Sequence, residues 1–204
     1  MMKSKKELAV SLSKLKVFAA PDIRLEQYST DSEIAAEMLW FAYQNGDIEN
    51  KIIADFGCGT GILGIGCLLL NARLVYFIDK AESVFEILKE NLFTLKLKDS
   101  KIINKEISAF NNKVDVVIQN PPFGVKSRHA DKIFLEKAFS LSEVVYSFHK
   151  IESMQFIESI SKENNFRSTH LFGFEFPLKK SYEFHRKKVY KVKVGCWRLE
   201  KKYI

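Results

Sequence analysis

Four short apolar runs along this 204-residue chain are each followed by a stretch with helical spacing. Residues 51–55, 73–78, 114–118 and 144–148 read as strands, and 62–70, 81–97, 131–141 and 154–163 as the helices after them. A further strand is predicted at 101–104. Within 81–97, Val84, Phe85, Leu88, Leu92 and Leu95 share one helix face. Nearly continuous apolar strands separated by helices imply a parallel sheet covered on both faces. The tail breaks the rhythm. Residues 169–176 and 187–197 read as two strands with no helix between them, and 177–186 as the turn and loop. The prediction is an α/β fold with a seven-stranded, mostly parallel sheet and a C-terminal antiparallel hairpin. Two helices precede it, one carrying Leu8, Leu12 and Leu15, the other spanning 32–44.

A hydrophobic content of 47% suits one domain with a sizeable core. No linker interrupts it, so residues 1–204 are expected to form one domain, with 1–24 a helical extension and 25–204 the core. Cys58, Cys67 and Cys196 form no C-x-x-C pair and have no metal-ligand spacing to the four histidines. No metal is expected, and a reducing, cytoplasmic setting fits. No apolar run approaches the roughly 18 residues that span a membrane. The basic N-terminus lacks the apolar core of a signal peptide. Its helix could cap the domain or touch a partner. A formal charge of +7 points to an anionic partner, nucleic acid being the simplest.

The first strand runs into DFGCGTG at 55–61, which opens a helix. In such sheets, ligands bind at the carboxyl ends of the strands, and glycines let the backbone approach them. The dinucleotide pattern G-x-G-x-x-G begun at Gly57 would need glycine where Ile62 stands. Asp55 would repel a pyrophosphate, yet suits an ammonium group. Asp79 ends the second strand at about the offset where an acid accepts ribose hydroxyls. Ribose, an amino-acid ammonium and no phosphate describe S-adenosylmethionine.

The fourth strand ends in Asn120-Pro121-Pro122-Phe123. The amine of adenine is conjugated with its ring and is a poor nucleophile. Acceptors on its two N–H groups stabilise positive charge developing on nitrogen. The Asn120 side-chain oxygen and the Pro121 carbonyl are candidates. Pro122 has no N–H and stiffens the turn. Phe123 offers a face for stacking a base, which must be single-stranded or flipped out.

DFGCGTG, Asp79 and NPPF together resemble a Rossmann-like class I S-adenosylmethionine-dependent methyltransferase acting on planar amino nitrogens. With LEQYST at 25–30, IENK at 48–51, VYSFHK at 145–150 and SYEFH at 181–185, the chain most resembles the small-subunit ribosomal RNA adenine-N6 methyltransferases known as methyltransferase-like protein five, with their archaeal relatives. The resemblance implies that Gln27, Tyr28 and Thr30 line the cofactor pocket. It sets Asp55, Gly57, Gly59, Thr60 and Ile62 around the methionine part and Asp79 at the ribose. Glu106, where the family usually has aspartate, and Ile107 would meet the adenine end. It also implies a small zinc-binding activator as partner, for which Ile102 and Ile103 would form a docking strip if their strand lies at the sheet edge.

Lys126, Arg128, His149, Lys150, His185, Arg186, Lys187 and Lys188 are the expected RNA contacts, grouped on the active edge of the sheet. Two alternatives stay open. The same fold can methylate guanine N2 of ribosomal RNA or a protein glutamine, and a non-catalytic cofactor-binding RNA module would carry many of the same features.

Overall fold

The structure is a computed structural model that describes residues 2–17, 30–122, 130–179 and 189–202. Its elements are α1 (Lys5–Leu12), α2 (Ser32–Gln44), β1 (Ile52–Phe56), α3 (Ile62–Leu69), β2 (Leu74–Asp79), α4 (Val84–Thr94), β3 (Ser100–Asn104), β4 (Val116–Gln119), α5 (Ala130–Leu141), β5 (Val144–Lys150), α6 (Met154–Glu163), β6 (Phe166–Lys179) and β7 (Val189–Lys201). Short 3-10 turns lie at Ile107–Ala109 and Ile151–Ser153. The strands form one sheet in the order β3-β2-β1-β4-β5-β7-β6. β1 to β5 pair in parallel, and β7 is antiparallel to both β5 and β6.

Side chains alternate across each strand, so the sheet buries two faces. Ile53, Val75, Phe77, Val116, Ile118 and Phe148 pack with residues of α1 to α4. Ala54, Phe56, Ile78, Val117, Val145 and Trp197 pack with residues of α5 and α6. α1 joins the first of these layers through the buried Leu8, Ala9 and Leu12. Its helix is capped by Ser4, whose hydroxyl accepts from the Glu7 N–H at 3.2 Å. The N-terminal helix therefore caps the domain.

Several boundaries move. α4 is shorter than residues 81–97 because Lys96 takes a left-handed φ of 55°, which ends the helix. β5 continues to Lys150, which brings His149 into the strand. The hairpin departs most from expectation, since β6 begins at Phe166 and runs on through Pro177 to Lys179. Proline is tolerated there because β6 is an edge strand among the described residues. The last β5 pair is Lys150 with Val194. From Glu175/Lys193 to Lys179/Val189, β6 and β7 pair beyond that end. At about 3.3 Å per residue, this ribbon rises roughly 17 Å past the carboxyl edge of β5.

One buried charge pair ties the parallel half of the sheet to the hairpin. Asp47 lies between α2 and β1, and Arg198 lies on β7. Arg198 Nε donates to Asp47 Oδ2 at 2.8 Å and Nη2 to Oδ1 at 3.3 Å. The hydroxyl of Tyr146, the β5 partner of Arg198 in register, also donates to Asp47 Oδ2 at 2.7 Å. Removing Arg198 leaves the buried Asp47 carboxylate without its counter-charge, held among the described residues only by the Tyr146 hydroxyl, whereas removing the Tyr146 hydroxyl leaves the charge pair intact. Arg198→Ala is expected to cost about 3–5 kcal/mol, and Tyr146→Phe about 1–2 kcal/mol. Urea unfolding of the two variants against the parent measures both.

Candidate cofactor and acceptor site

The parallel neighbours of β1 are β2 on one side and β4 on the other, so the chain order reverses at β1/β4. A crevice at such a switch point receives ligands in open α/β sheets. Phe56 and Gln119 are register partners at the ends of these strands. The residues that follow them, Gly57 and Asn120, therefore leave the sheet side by side. Strand spacing puts the two chains about 4.8 Å apart there.

The glycine turn is held by backbone bonds. Gly57 and Cys58 N–H groups both donate to the Ile78 carbonyl, at 2.8 and 3.1 Å. Gly57, Gly59 and Gly61 have φ of 66°, 52° and 89°, which side chains rarely allow. A Cβ at Gly61 would stand 2.3 Å from Leu88 Cδ1. Asp79 clamps the turn from β2: its Oδ2 accepts from Gly59 N–H at 3.0 Å and its Oδ1 from Ala81 N–H at 2.9 Å. The spare lone pairs of that carboxylate stay available to further donors. The loop after β3 abuts the same corner, because Lys105 N–H donates to the Asp79 carbonyl at 3.0 Å. In that loop Ile107 is buried. Glu106 stays exposed, its carboxylate 3.4 Å from Lys80 Nζ.

Asn91 adds a clamp that the sequence reading missed. Its amide donates to the carbonyls of Thr60 at 3.2 Å and Lys16 at 3.0 Å, and its oxygen accepts from Lys16 N–H at 2.8 Å. The glycine turn and the chain after α1 thus share one buried side chain. A polar residue on the apolar stripe of α4, beside Leu88 and Leu92, was the available signal.

Asp55 is buried beneath the turn, and its Oδ2 accepts from Gly64 N–H at 2.9 Å. A Cβ at Gly64 would meet the Phe77 ring at 2.4 Å, so glycine is what admits the helix to this distance. Burial pushes the Asp55 carboxyl up to about 7, against the Gly64 hydrogen bond and with a smaller push from Asp79. A cation beside it would favour the charged form.

At the end of β4, Asn120 Nδ2 donates to Thr30 Oγ1 at 3.0 Å. Asn120 Oδ1 is buried with no hydrogen-bond partner among the described residues. Pro121 is buried and Pro122 half-buried. An amide pinned by its nitrogen, with its oxygen open at a rigid corner, is an acceptor in wait for a donor.

His149 departs from expectation. A phosphate contact needs an exposed cation, but this ring is 1% exposed. Burial lowers its pKa, partly offset by Asp131 at 3.6 Å from Nδ1. Gln119 Nε2 donates to Ser147 Oγ at 2.9 Å, so the Ser147 hydroxyl is free to donate to His149 Nε2, 2.5 Å away. The histidine belongs to a buried polar ladder that runs from Gln119 on β4 through Ser147 to His149 on β5. Lys150 is half-buried at the strand end. Gln27, Tyr28, Phe123, Lys126, Arg128, His185, Arg186, Lys187 and Lys188 lie outside the described residues.

Comparison with known proteins gives concordant matches. A family model described as methyltransferase small domain matches residues 29–142. An uncharacterized protein of Methanocaldococcus jannaschii is 35% identical across 98% of this chain and 95% of its own length. The rRNA N(6)-adenosine-methyltransferase METTL5 of Danio rerio is 34% identical across 93% of this chain and 95% of its own length. A crystal structure of an RNA methyltransferase candidate from Pyrococcus horikoshii matches with a TM-score of 0.91 at 45% identity, covering 100% of both chains.

The carboxyl of Asp55 makes stability depend on pH. Folded Asp55 keeps its proton up to about pH 7, whereas the unfolded acid loses it near pH ~4. Between those values the folded state binds more protons, so this group's contribution to stability falls as pH rises. The stability of the wild type relative to Asp55→Asn is expected to drop from pH 5 to pH 7.5, measured by urea unfolding at both values. An unchanged difference would place Asp55 at an ordinary carboxylate pKa.

Proposed function

The chain belongs to the methyltransferase small-domain family, and from that premise we propose that it methylates N6 of an adenosine in ribosomal RNA. S-adenosylmethionine is the methyl donor. The observation that carries the proposal is Asn120 Oδ1, a buried acceptor without a partner among the described residues, beside the glycine turn. The full-length similarity to an rRNA adenosine methyltransferase supports the choice of nitrogen. Small-subunit RNA is the substrate that the LEQYST and SYEFH motifs favour.

The residues at the turn fit the donor. Gly57, Gly59, Thr60 and Ile62 would line its methionine part, with Asp55 below to balance its positive charge. Asp79 would accept the ribose hydroxyls with its spare lone pairs. Gln27, Tyr28 and Thr30 would complete the pocket, and Glu106 and Ile107 would meet the adenine end. Bound there, the cofactor supplies an electrophilic methyl group on a positively charged sulfur.

The protein's own part is to hold and polarise the acceptor. Asn120 Oδ1 and the Pro121 carbonyl accept the two N–H groups of the adenine amine. Electron density then stays on nitrogen, and the charge that develops there meets two fixed dipoles. An amide is too weak a base to take the proton, so it orients rather than deprotonates; the nitrogen, made cationic and acidic as it gains the methyl, gives its proton to water. Phe123 would stack on the base. The β6–β7 ribbon rises beside this edge of the sheet. With Lys126, Arg128, Lys150, His185, Arg186, Lys187 and Lys188, it would meet phosphates and make binding salt-sensitive. His149 is left out of that set because its ring is buried. No helix among the described residues is long and apolar enough to cross a membrane, and the proposal sets the enzyme in the cytoplasm beside its RNA.

The reading extends to a partner. β3 is an outer strand of the sheet, and its Ile102 and Ile103 are half-buried. An edge with apolar side chains and unpaired backbone suits a small zinc-binding activator that adds its own strand. Ile102→Asp is expected to abolish co-purification with that activator, while Ile102→Val, which keeps an apolar side chain on the core, retains it. Retained binding in Ile102→Asp would move the partner elsewhere.

Incubation with labelled donor and undermethylated small-subunit RNA, followed by nucleoside analysis, tests the central claim. N6-methyladenosine is the expected product, and N2-methylguanosine or a labelled protein glutamine would overturn it. Asn120→Ala is expected to lower turnover by about 100-fold or more, with donor affinity within about twofold by equilibrium binding. Wild-type turnover in that variant would remove Asn120 from the mechanism.

A further inference from the structure

We propose that Asn91 is a positioning residue for the methyl donor, holding the second half of the glycine turn in the shape that receives it. The donor site at residues 57–62 is the reading on which this rests, and Asn91 is what keeps that turn formed before the donor arrives.

The turn needs such support. Gly57, Gly59 and Gly61 all take positive φ, and glycine gives up more backbone freedom on ordering than any other residue. The first half is tied to β2. Gly57 and Cys58 N–H groups donate to the Ile78 carbonyl, and Gly59 N–H donates to Asp79 Oδ2. The peptide between Thr60 and Gly61 is tied differently. Its N–H donates within the turn, to the Cys58 carbonyl at 2.9 Å. Its carbonyl accepts from Asn91 Nδ2 of α4 at 3.2 Å. α4 also supplies Leu88, whose Cδ1 is the atom that a Cβ at Gly61 would meet. One helix face therefore meets the second half of the turn with an apolar contact and a hydrogen bond.

The Asn91 amide has a single workable orientation. Nδ2 donates to the Thr60 and Lys16 carbonyls, and Oδ1 accepts from Lys16 N–H at 2.8 Å. A carbonyl only accepts and a backbone N–H only donates. Turning the amide over would set N–H against N–H and one oxygen against two others. The Lys16 backbone is placed in turn by α1, whose Leu8 and Leu12 are buried in the core. Asn91 is 3% exposed and Thr60 5%, so water is a poor substitute for these bonds. A turn formed in advance spares the donor the cost of ordering it, and affinity gains accordingly. Asn120 stands on a different strand end and is bonded to Thr30, not to α4, so the acceptor side keeps its geometry when the clamp is lost.

Asn91→Leu keeps the size and removes all three bonds. Titration with S-adenosylmethionine is expected to give an affinity about tenfold weaker. The kcat at saturating donor and the KM for RNA are expected to stay within about twofold of wild type. Without donor, hydrogen exchange at Gly61 N–H is expected to quicken by about tenfold or more, while the amides of β2 hold their rates; a general loss of stability would quicken both. Lys16→Pro removes the N–H that orients the amide, and Lys16→Ala keeps it. Both lose the Lys16–Glu90 ion pair, so the backbone N–H separates them. Proline is expected to weaken donor binding by about threefold or more, and alanine by less than about twofold. Wild-type donor affinity in a folded Asn91→Leu would overturn the inference, as would exchange that quickens in β2 as much as at Gly61. Where Asn91→Leu does not fold, equal donor affinity in the two Lys16 variants overturns it. A wild type that binds no S-adenosylmethionine sinks the underlying reading of the turn, and the exchange rate of Gly61 still decides whether Asn91 holds it.

Discussion

β1 and β4 lie side by side and point the same way, although α3, β2, α4 and β3 intervene in the chain. Parallel neighbours end at the same edge of a sheet. The glycine turn after one and the proline corner after the other are therefore delivered to one crevice, with about one strand spacing between them. Each half of the candidate site is built locally, but only this adjacency makes them a site. The start of α2 and the face of α4 brace those strand ends. α2 starts beside Asn120 through Thr30. α4 holds the turn through Asn91. Asp47 and Arg198 lock the hairpin to the parallel half.

The crevice is bought with polarity in the interior. Asn120 Oδ1, Gln119 Oε1 and His149 Nδ1 are all buried without a hydrogen-bond partner among the described residues. Such groups cost about 1–3 kcal/mol each when desolvated. Asp55 adds a carboxyl whose burial opposes its charge. A sheet selected for stability alone would place apolar side chains there. These groups persist at the carboxyl ends of β1, β4 and β5, where a cationic donor and an amino nitrogen would meet them.

Much of this was readable before any coordinates. Apolar runs of strand length, separated by helical periodicity, identified five parallel strands and their helices. The glycines of 55–61, with Ile62 where a dinucleotide site needs glycine, separated one cofactor class from another. NPPF named its own strand end. The misreadings share a cause. Pro177 reads as a turn residue because proline ends most strands; an outer strand tolerates it. His149 looked like a surface cation because it stands next to Lys150, yet alternation along β5 turns it inward toward Ser147 and Gln119.

What the sequence by itself determined are properties that depend on residues close along the chain. Periodicity sets which runs become strands or helices, and steric limits on φ set where glycine must turn. What only the tertiary structure decided depends on residues far apart: Asn91 reaching Thr60 and Lys16, Arg198 reaching Asp47, and Thr30 reaching Asn120. A hydrogen bond is directional and acts over about 3 Å, so no pattern along the chain announces it. Such bonds exist only once the sheet has brought their ends together.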